Sequence, residues 1–407
     1  VRPSPRSHQH LRKTFFATRF PEFAALADDH AYALFDAHVV TTDYIERVRQ
    51  AAADAWSIYR KIFPVLQALP DETLEQMGFP ANVLKCVRLR YAGVPETVVG
   101  RFDFIVTPSG PKLIELNAET PFFYWESNCI AGAIARALGY DDPNENAEQC
   151  LKDALAAAVL ASSRGGRIVV TAHADDTDDS TGLYATRALG EALGKDVDFS
   201  TLDELFVIPG EALYDSKGPI DVLYRFYPLE LFSSDEGGDE FFALIASDKL
   251  RIINPPCSLL LQNKCAQVLI WGLYEDGAFF SESDRAIIER VFLPTYADLP
   301  DDGNGYVRKP VFGRHGTSVA FVDDRGTTGE APAHDYDDQP MVYQRRVPLP
   351  TVAFEHPTDG QREGYAITTC FIVGGTPTAV CMRVGDEITD AWAHFLPLAY
   401  SSTRGTS

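Results

Sequence analysis

Basic residues are scarce: 36 Lys and Arg stand against 58 Asp and Glu, a net charge of −22 over 407 residues. That balance excludes a surface built for nucleic acid or anionic lipid, both of which need clustered cations. It suits a cationic substrate, although solubility alone accounts for it. Long apolar runs are missing as well. None reaches the roughly 18–20 residues that span a bilayer, so no membrane partner is expected. The N-terminal stretch VRPSPRSHQHLRK is polar and basic, without the apolar centre of a secretory signal. The seven cysteines (Cys86, Cys129, Cys150, Cys257, Cys265, Cys370 and Cys381) show no C-x-x-C spacing. Zinc is thereby disfavoured, and reduced thiols in or near the core, in a cytoplasmic protein, are expected.

Several catalytic signatures are absent too. There is no G-x-S-x-G elbow, no Walker GK[ST], and no i, i+4 pair among the nine histidines. Covalent hydrolase chemistry and His-based zinc chemistry lose their support. What is present is an ordinary globular composition, 45% apolar and 11% aromatic, in a chain long enough for two or three domains or one composite enzyme.

Periodicity divides the chain. Apolar positions three and four apart make 22–70 largely helical, through FAALADDHAYALF and YIERVRQAAADAWSIYRKIFPVLQAL. A period of two over 96–118 marks strands, and helix returns in NCIAGAIARALGY and NAEQCLKDALAAAVLAS. From about 165, GRIVVTA, the polar loop HADDTDDST, GLYATRALGEALG and DVDFSTL form an α/β unit of the parallel-sheet kind. The loop has the residues for a metal but reads better as a solvated or substrate-rim segment. DVLYRFYPLELF is a further buried strand with its exit, and NPPCSLLLQNKCAQVLIWGLYE a Pro-flagged turn entering an apolar helix. The last third is strand-rich with glycine turns, hence mostly antiparallel β. Acidic stretches at 233–240, 298–304 and 323–338 read as surface insertions, and Trp56, Trp125, Trp271 and Trp392 as core.

RFDFIVTPSGPKLIELNAET, positions 101–120, places polar residues where a half-buried hairpin takes Val or Thr. Arg101 and Asp103 share one strand face; Leu113, Glu115 and Asn117 share one face of the next. Asp103 faces Glu115 in regular pairing only if the connecting turn is odd in length, centred near Ser109 or Gly110. Two carboxylates and an amide on one face repel and desolvate unless a cation compensates, and hard oxygen ligands suit Mg²⁺. The other reading is an exposed acidic face neutralised by Arg101, and spacing does not separate the two.

VRKPVFGRHGTSV, 307–319, has Lys309 leaving a strand, then Gly313 and Gly316 around Arg314 and His315. Such a loop lets backbone N–H groups approach an anion, but an isolated G-x-x-G is more often a plain turn. Lys264 begins an apolar helix, where the dipole disfavours a cation and an anionic neighbour is implied. Arg383 sits at a strand end.

Together these stretches resemble the glutathionylspermidine synthase family. RFDFIVTPSGPKLIELNAETP is similar to its R-F-D-F … E-x-N-A-D-T-P block, and INPPCSLLLQNKCAQVLIW to its N-P … N-K-x-x-x-x-L-W segment. RKPVFGRHGTSV resembles its K-P-x-x-G-R-E-G loop; VYQRRVPLP and FIVGGTPTAVCMRVGDEITDAWAHFLPLAY resemble its closing block. The matches keep their order over roughly 95–400.

The resemblance implies an α/β (α+β) fold: a permuted ATP-grasp ligase with a preceding α/β domain. It implies a helical region at 1–90, a Mg²⁺-binding hairpin with helices at 91–150, a substrate-side α/β domain at 151–255 and a nucleotide-binding region at 256–407. ATP and two Mg²⁺ ions are the implied cofactors, with small-molecule carboxylate and amine substrates. Asp103, Glu115 and Asn117 match the metal ligands. Lys264, Lys309, the Gly313–Gly316 loop with Arg314 and His315, and Gln344 match nucleotide positions. Arg101 and Arg383 match arginines near the reacting carboxylate and phosphate. The implied activity is ATP-dependent amide formation through an acyl phosphate. A catalytically silent nucleotide-binding relative and an AMP-releasing ligase are the alternatives. Three departures stand out: His315 replaces a Glu, FFYWESN replaces a run of small residues, and Arg345 and Arg346 reverse a charge in Y-Q-E. No amidase region is present in the sequence.

Overall fold

The computed structural model describes residues 5–24, 27, 31–174, 176–323, 325–331 and 335–401. Three large sheets organise them, beside a two-stranded parallel pair of His38–Val40 with Leu398–Tyr400. The first is wholly antiparallel, in the order His394–Leu396, Thr376–Gly385, Gly360–Val373, Val99–Thr107, Gly110–Asn117, with Thr351–His356 paired to Gly360–Val373. Helix Thr42–Gln67 lies on it, started by Thr41, whose hydroxyl accepts the Tyr44 N–H. Its buried positions, among them Val48, Ala52, Ala55, Tyr59, Ile62 and Phe63, follow the spacing of three and four. Phe102 and Phe104 meet that helix from the sheet, Tyr59 and Phe102 with ring centroids 5.8 Å apart.

In the second sheet, Asp198–Thr201, Arg167–Ala172, Gly218–Arg225 and Arg251–Ile253 run parallel. Phe206–Ile208 and Ala212–Asp215 extend it antiparallel. The third sheet is antiparallel throughout: Thr295–Tyr296, Met341–Arg345, Tyr306–Pro310, Ala320–Asp323 and Gly326–Glu330. The mixed α/β character expected from periodicity is therefore present, with an antiparallel last third.

Several local expectations change. The 23–35 stretch is helical only in part: Pro21–Phe23 is a 3₁₀ turn, Ala24 and Ala27 are helical, Ala33 makes a β-bridge, and His38–Val40 beyond it is a strand. Residues 25, 26 and 28–30 of that stretch lie outside the described residues, as do Asp175, Asp324 and 332–334 of the acidic segments. The loop after Arg167–Ala172 is shorter than expected, because helix Asp176–Leu193 begins within it. Helix Gly238–Ala246 likewise begins inside the 233–240 stretch. Trp56 and Trp125 are core, but Trp392 is 55% exposed. Cys86, Cys257, Cys370 and Cys381 are buried and all seven cysteines are free. Among the described residues no helix is long and apolar enough to cross a membrane.

Candidate functional site

A cavity of about 630 Å³ opens where the three sheets meet. Asp103, Glu115, Asn117 and Arg101 line it, with Lys264, Lys309, Gln344 and Arg383. The loop residues Gly313, Arg314, His315 and Gly316 line it as well. The first sheet contributes the acidic hairpin and Arg383, and the third contributes Lys309 and Gln344.

The hairpin turn is not odd. Thr107 pairs with Gly110, leaving Pro108 and Ser109 as a two-residue turn, and pairing stays regular to Phe104 opposite Leu113. There the register shifts by one residue, and Asp103 faces Glu115 and Arg101 faces Asn117. Ile114 is the extra residue of a β-bulge. The bulge also corrects the face assignment: Leu113 joins Leu116 and Phe104 in the core, whereas Ile114 and Glu115 line the cavity. The Ile114 carbonyl is satisfied by two side-chain amides, Gln267 Nε2 and Gln344 Nε2, each at 3.1 Å.

The polar face is buried, not an exposed acidic surface. Arg101 is 7% and Asp103 4% exposed. The guanidinium fork of Arg101 donates to both Asp103 oxygens at 2.8 Å, and its Nη1 donates to the Phe122 carbonyl at 2.7 Å. Burial nevertheless raises the Asp103 carboxyl above its ordinary value. For Glu115 burial also opposes ionisation, but Lys264, Lys309 and Arg101 outweigh it and hold the carboxyl at about 2. Asn117 Nδ2 lies 3.3 Å from an oxygen of each carboxylate. Turning that amide over would present Oδ1 on the same side. Among the described residues no three His, Cys, Asp or Glu side chains gather as a metal cluster. Two carboxylates and an amide fit a Mg²⁺ ion whose remaining ligands are phosphate and water.

Lys264 occupies the N-cap position of helix Cys265–Asp276. The implied anion is Glu115, 3.3 Å from Nζ, while the Gly313 carbonyl accepts from the same group at 2.8 Å. Lys309 Nζ donates to Gln344 Oε1 at 2.7 Å, and burial lowers this amine to about 8. Gln344 is bonded at once to Lys309, Gln267 and the bulge carbonyl.

The two loop glycines have steric causes. A Cβ on Gly313 would meet the Pro310 ring at 2.2 Å. On Gly316, at φ +69°, it would stand 2.6 Å from the Thr389 carbonyl oxygen. His315 also has a positive φ. Burial, then Arg383, Arg314 and Arg101, push its imidazole down to about 4. Arg314 turns away from the loop to Glu230, at 2.5 Å, and Glu119, at 3.7 Å. The charge reversals are compensated: Arg345 pairs with Asp302 at 2.8 Å and Arg346 with Glu387 at 2.7 Å. The 298–304 stretch lies at the surface, as expected, and Asp302 supplies the partner of Arg345.

Other groups have no role assigned from the sequence, although Asn254 opens the N-P … N-K segment. Asn254 donates to the carbonyls of Val99, Ala118 and Glu119 and accepts from the N–H of Val98 and Val99. Gln262 accepts from Ala118 and Glu119. These two amides fix the end of the acidic hairpin. Glu126 lines the cavity beside Tyr32, whose hydroxyl donates to it at 2.6 Å. Arg383 donates to the Asp390 carbonyl at 2.6 Å and has no ion pair with a carboxylate among the described residues; burial lowers its pKa.

Comparison with known proteins adds four findings. The model of the glutathionylspermidine synthase preATP-grasp family matches residues 4–400. A protein of Haemophilus influenzae provisionally named an acid–amine ligase is 27% identical over 185 residues, 44% of this chain and 42% of that protein. The bifunctional glutathionylspermidine synthetase/amidase of Escherichia coli is 22% identical over 311 residues, 71% of this chain and 47% of that enzyme. The chain thus spans less than half the length of either relative. A glutathione synthetase-like effector of Globodera pallida shares the fold, with a TM-score of 0.58 at 14% identity and 98% coverage of both chains.

Proposed function

The chain belongs to the glutathionylspermidine synthase preATP-grasp family, and from that premise we propose that it is an ATP-dependent carboxylate–amine ligase. It forms an amide through an acyl phosphate and releases ADP and phosphate. In this reading the fold is an ATP-grasp with permuted motif order. Residues 91–150 and 256–407 make the nucleotide clamp, 151–255 the substrate side, and 1–90 a region packed on the core.

The observation that carries the reading is the approach of lysines to the acidic hairpin. Lys264 stands 3.3 Å from Glu115, and the charge of Lys309 acts on the same carboxylate. Cations and carboxylates in one buried cavity make a place where a polyanion and its counter-ion bind together. Asp103, Glu115 and Asn117 would hold Mg²⁺, as two ions, which draws charge from the phosphoryl oxygens of ATP. Lys264 and Lys309 neutralise phosphate charge as point cations. Arg383, which has no carboxylate partner among the described residues, orients the substrate carboxylate and stabilises the oxyanion formed when the amine attacks. Arg101 holds Asp103 in place and adds positive charge beside it. The loop at Gly313–Gly316 covers the phosphates and keeps water from the acyl phosphate.

The test is ADP and phosphate release across a panel of acids and amines. Asp103→Ala is expected to lower turnover about a hundredfold or more. Full activity in that variant removes the metal assignment. Absence of amine-dependent turnover with every pair favours a silent nucleotide-binding relative.

A further inference from the structure

We propose that Glu126 and the aromatic passage beside it bind the amine substrate, and that this substrate is a primary amine carrying an apolar body. The proposal rests on the ligase reading and adds the chemical class of the amine. Glu126 heads a π-helical turn, Glu126–Ile130, directly before helix Ala131–Ala137. Such turns re-aim side chains and concentrate at functional positions. The side chain is 3% exposed and lines the cavity. Its Oε1 accepts from the Tyr32 hydroxyl, while Oε2 is buried without a hydrogen-bond partner among the described residues. The two arginines whose charge reaches it, Arg101 and Arg383, direct their donors at Asp103 and at the Asp390 carbonyl instead. A buried carboxylate oxygen left unmatched is costly, and an ammonium N–H satisfies it.

Beyond Glu126 the wall is aromatic. Phe122 and Phe226 face each other with ring centroids 6.0 Å apart. At His173 and Tyr227, whose rings meet edge-on at 4.8 Å, a second cavity of about 530 Å³ begins; both residues line both spaces. Leu205, Phe206, Phe232 and Phe241 form its apolar sides. Asp203, Asp235 and Glu236 stand among the lining residues, and among the described residues no Lys or Arg does. Such a passage disfavours an anionic tail and rewards an apolar one attached to a cation.

Isothermal titration of the full chain without nucleotide tests this, using 2-phenylethylamine, octylamine, ethylamine and spermidine. The two apolar amines are expected to bind about tenfold or more tightly than the other two. Phe232→Ala is expected to shrink that advantage to about threefold or less, and Glu126→Gln to weaken both apolar amines about tenfold. Phe206→Ser, at a side chain already 51% exposed, repeats the first test where folding is not at risk. Equal affinities, tightest binding of spermidine, no binding at all, or variants indistinguishable from the parent chain each overturn the proposal. The titration needs no turnover. A silent activity panel with the apolar preference intact removes the ligase reading alone, whereas an active panel without the preference removes this site alone.

Discussion

His315 shows how position sets chemistry at the scale of one residue. Its folded-state pKa, about 4, lies below the ordinary histidine value because burial and three guanidiniums oppose its charge. The imidazole is therefore neutral at pH 7. The unfolded chain takes up this proton first on acidification, so the group's contribution to stability is complete above about pH 6.5 and is lost as pH falls towards 4. An NMR titration is expected to place the His315 midpoint near 4, and to move it upward when ATP brings phosphate to the loop. A midpoint at the free-histidine value would contradict this environment. Gln344 makes a second case. Gln344→Ala leaves Lys309 and the Ile114 carbonyl each one partner short, and should cost about 1–3 kcal/mol in a denaturant titration. The charged members of the site were legible because polar residues stood at strand positions meant for apolar ones. Glu126 and Gln262 were not, since their partners lie 94 and 144 residues away. Nothing beside them in the sequence marks those contacts.

At the scale of the element, the acidic hairpin separates what alternation can reveal from what it cannot. Period-two patterning located both strands, but it let Asp103 face Glu115 only across an odd turn. It failed on the turn, because the parity argument assumes unbroken pairing, and a bulge breaks it. The bulge has its own use: it frees the Ile114 carbonyl for Gln267 and Gln344, tying the first sheet to helix Cys265–Asp276 and to the third sheet. Deleting Ile114 joins Leu113 directly to Glu115, which a regular two-residue hairpin accommodates with Asp103 still facing Glu115. The variant is expected to fold and to retain Mg²⁺-dependent nucleotide binding, while losing about 1–3 kcal/mol of stability with the lost acceptor. Loss of nucleotide binding at full stability would show that the bulge aims Glu115 and does not anchor Gln344.

At the scale of the whole molecule, one buried chain of charges joins the three sheets. Arg225, ending a strand of the second sheet, pairs with Glu119, just beyond the acidic hairpin of the first. Glu119 also accepts the Leu229 N–H at 3.0 Å, beside Glu230. Arg314, on the loop between strands Tyr306–Pro310 and Ala320–Asp323 of the third sheet, closes the chain against Glu230 and Glu119. No periodicity forecasts this assembly; only the fold brings 119, 225, 230 and 314 together. Breaking a buried pair at one partner strands the other charge, so the open loop becomes the better state for Arg314. Glu230→Ala is therefore expected to release the Gly313–Gly316 loop, which limited proteolysis should detect as faster cleavage within 311–319. If the loop also shields an acyl phosphate, water gains access, and ADP release with acid alone should rise relative to amine-dependent release. Glu230→Gln, which keeps the shape and one acceptor oxygen, should fall between the two. Unchanged proteolysis together with an unchanged ratio would mean that Arg314 is held by Glu119 alone, and that the second sheet has no hand in closing the site.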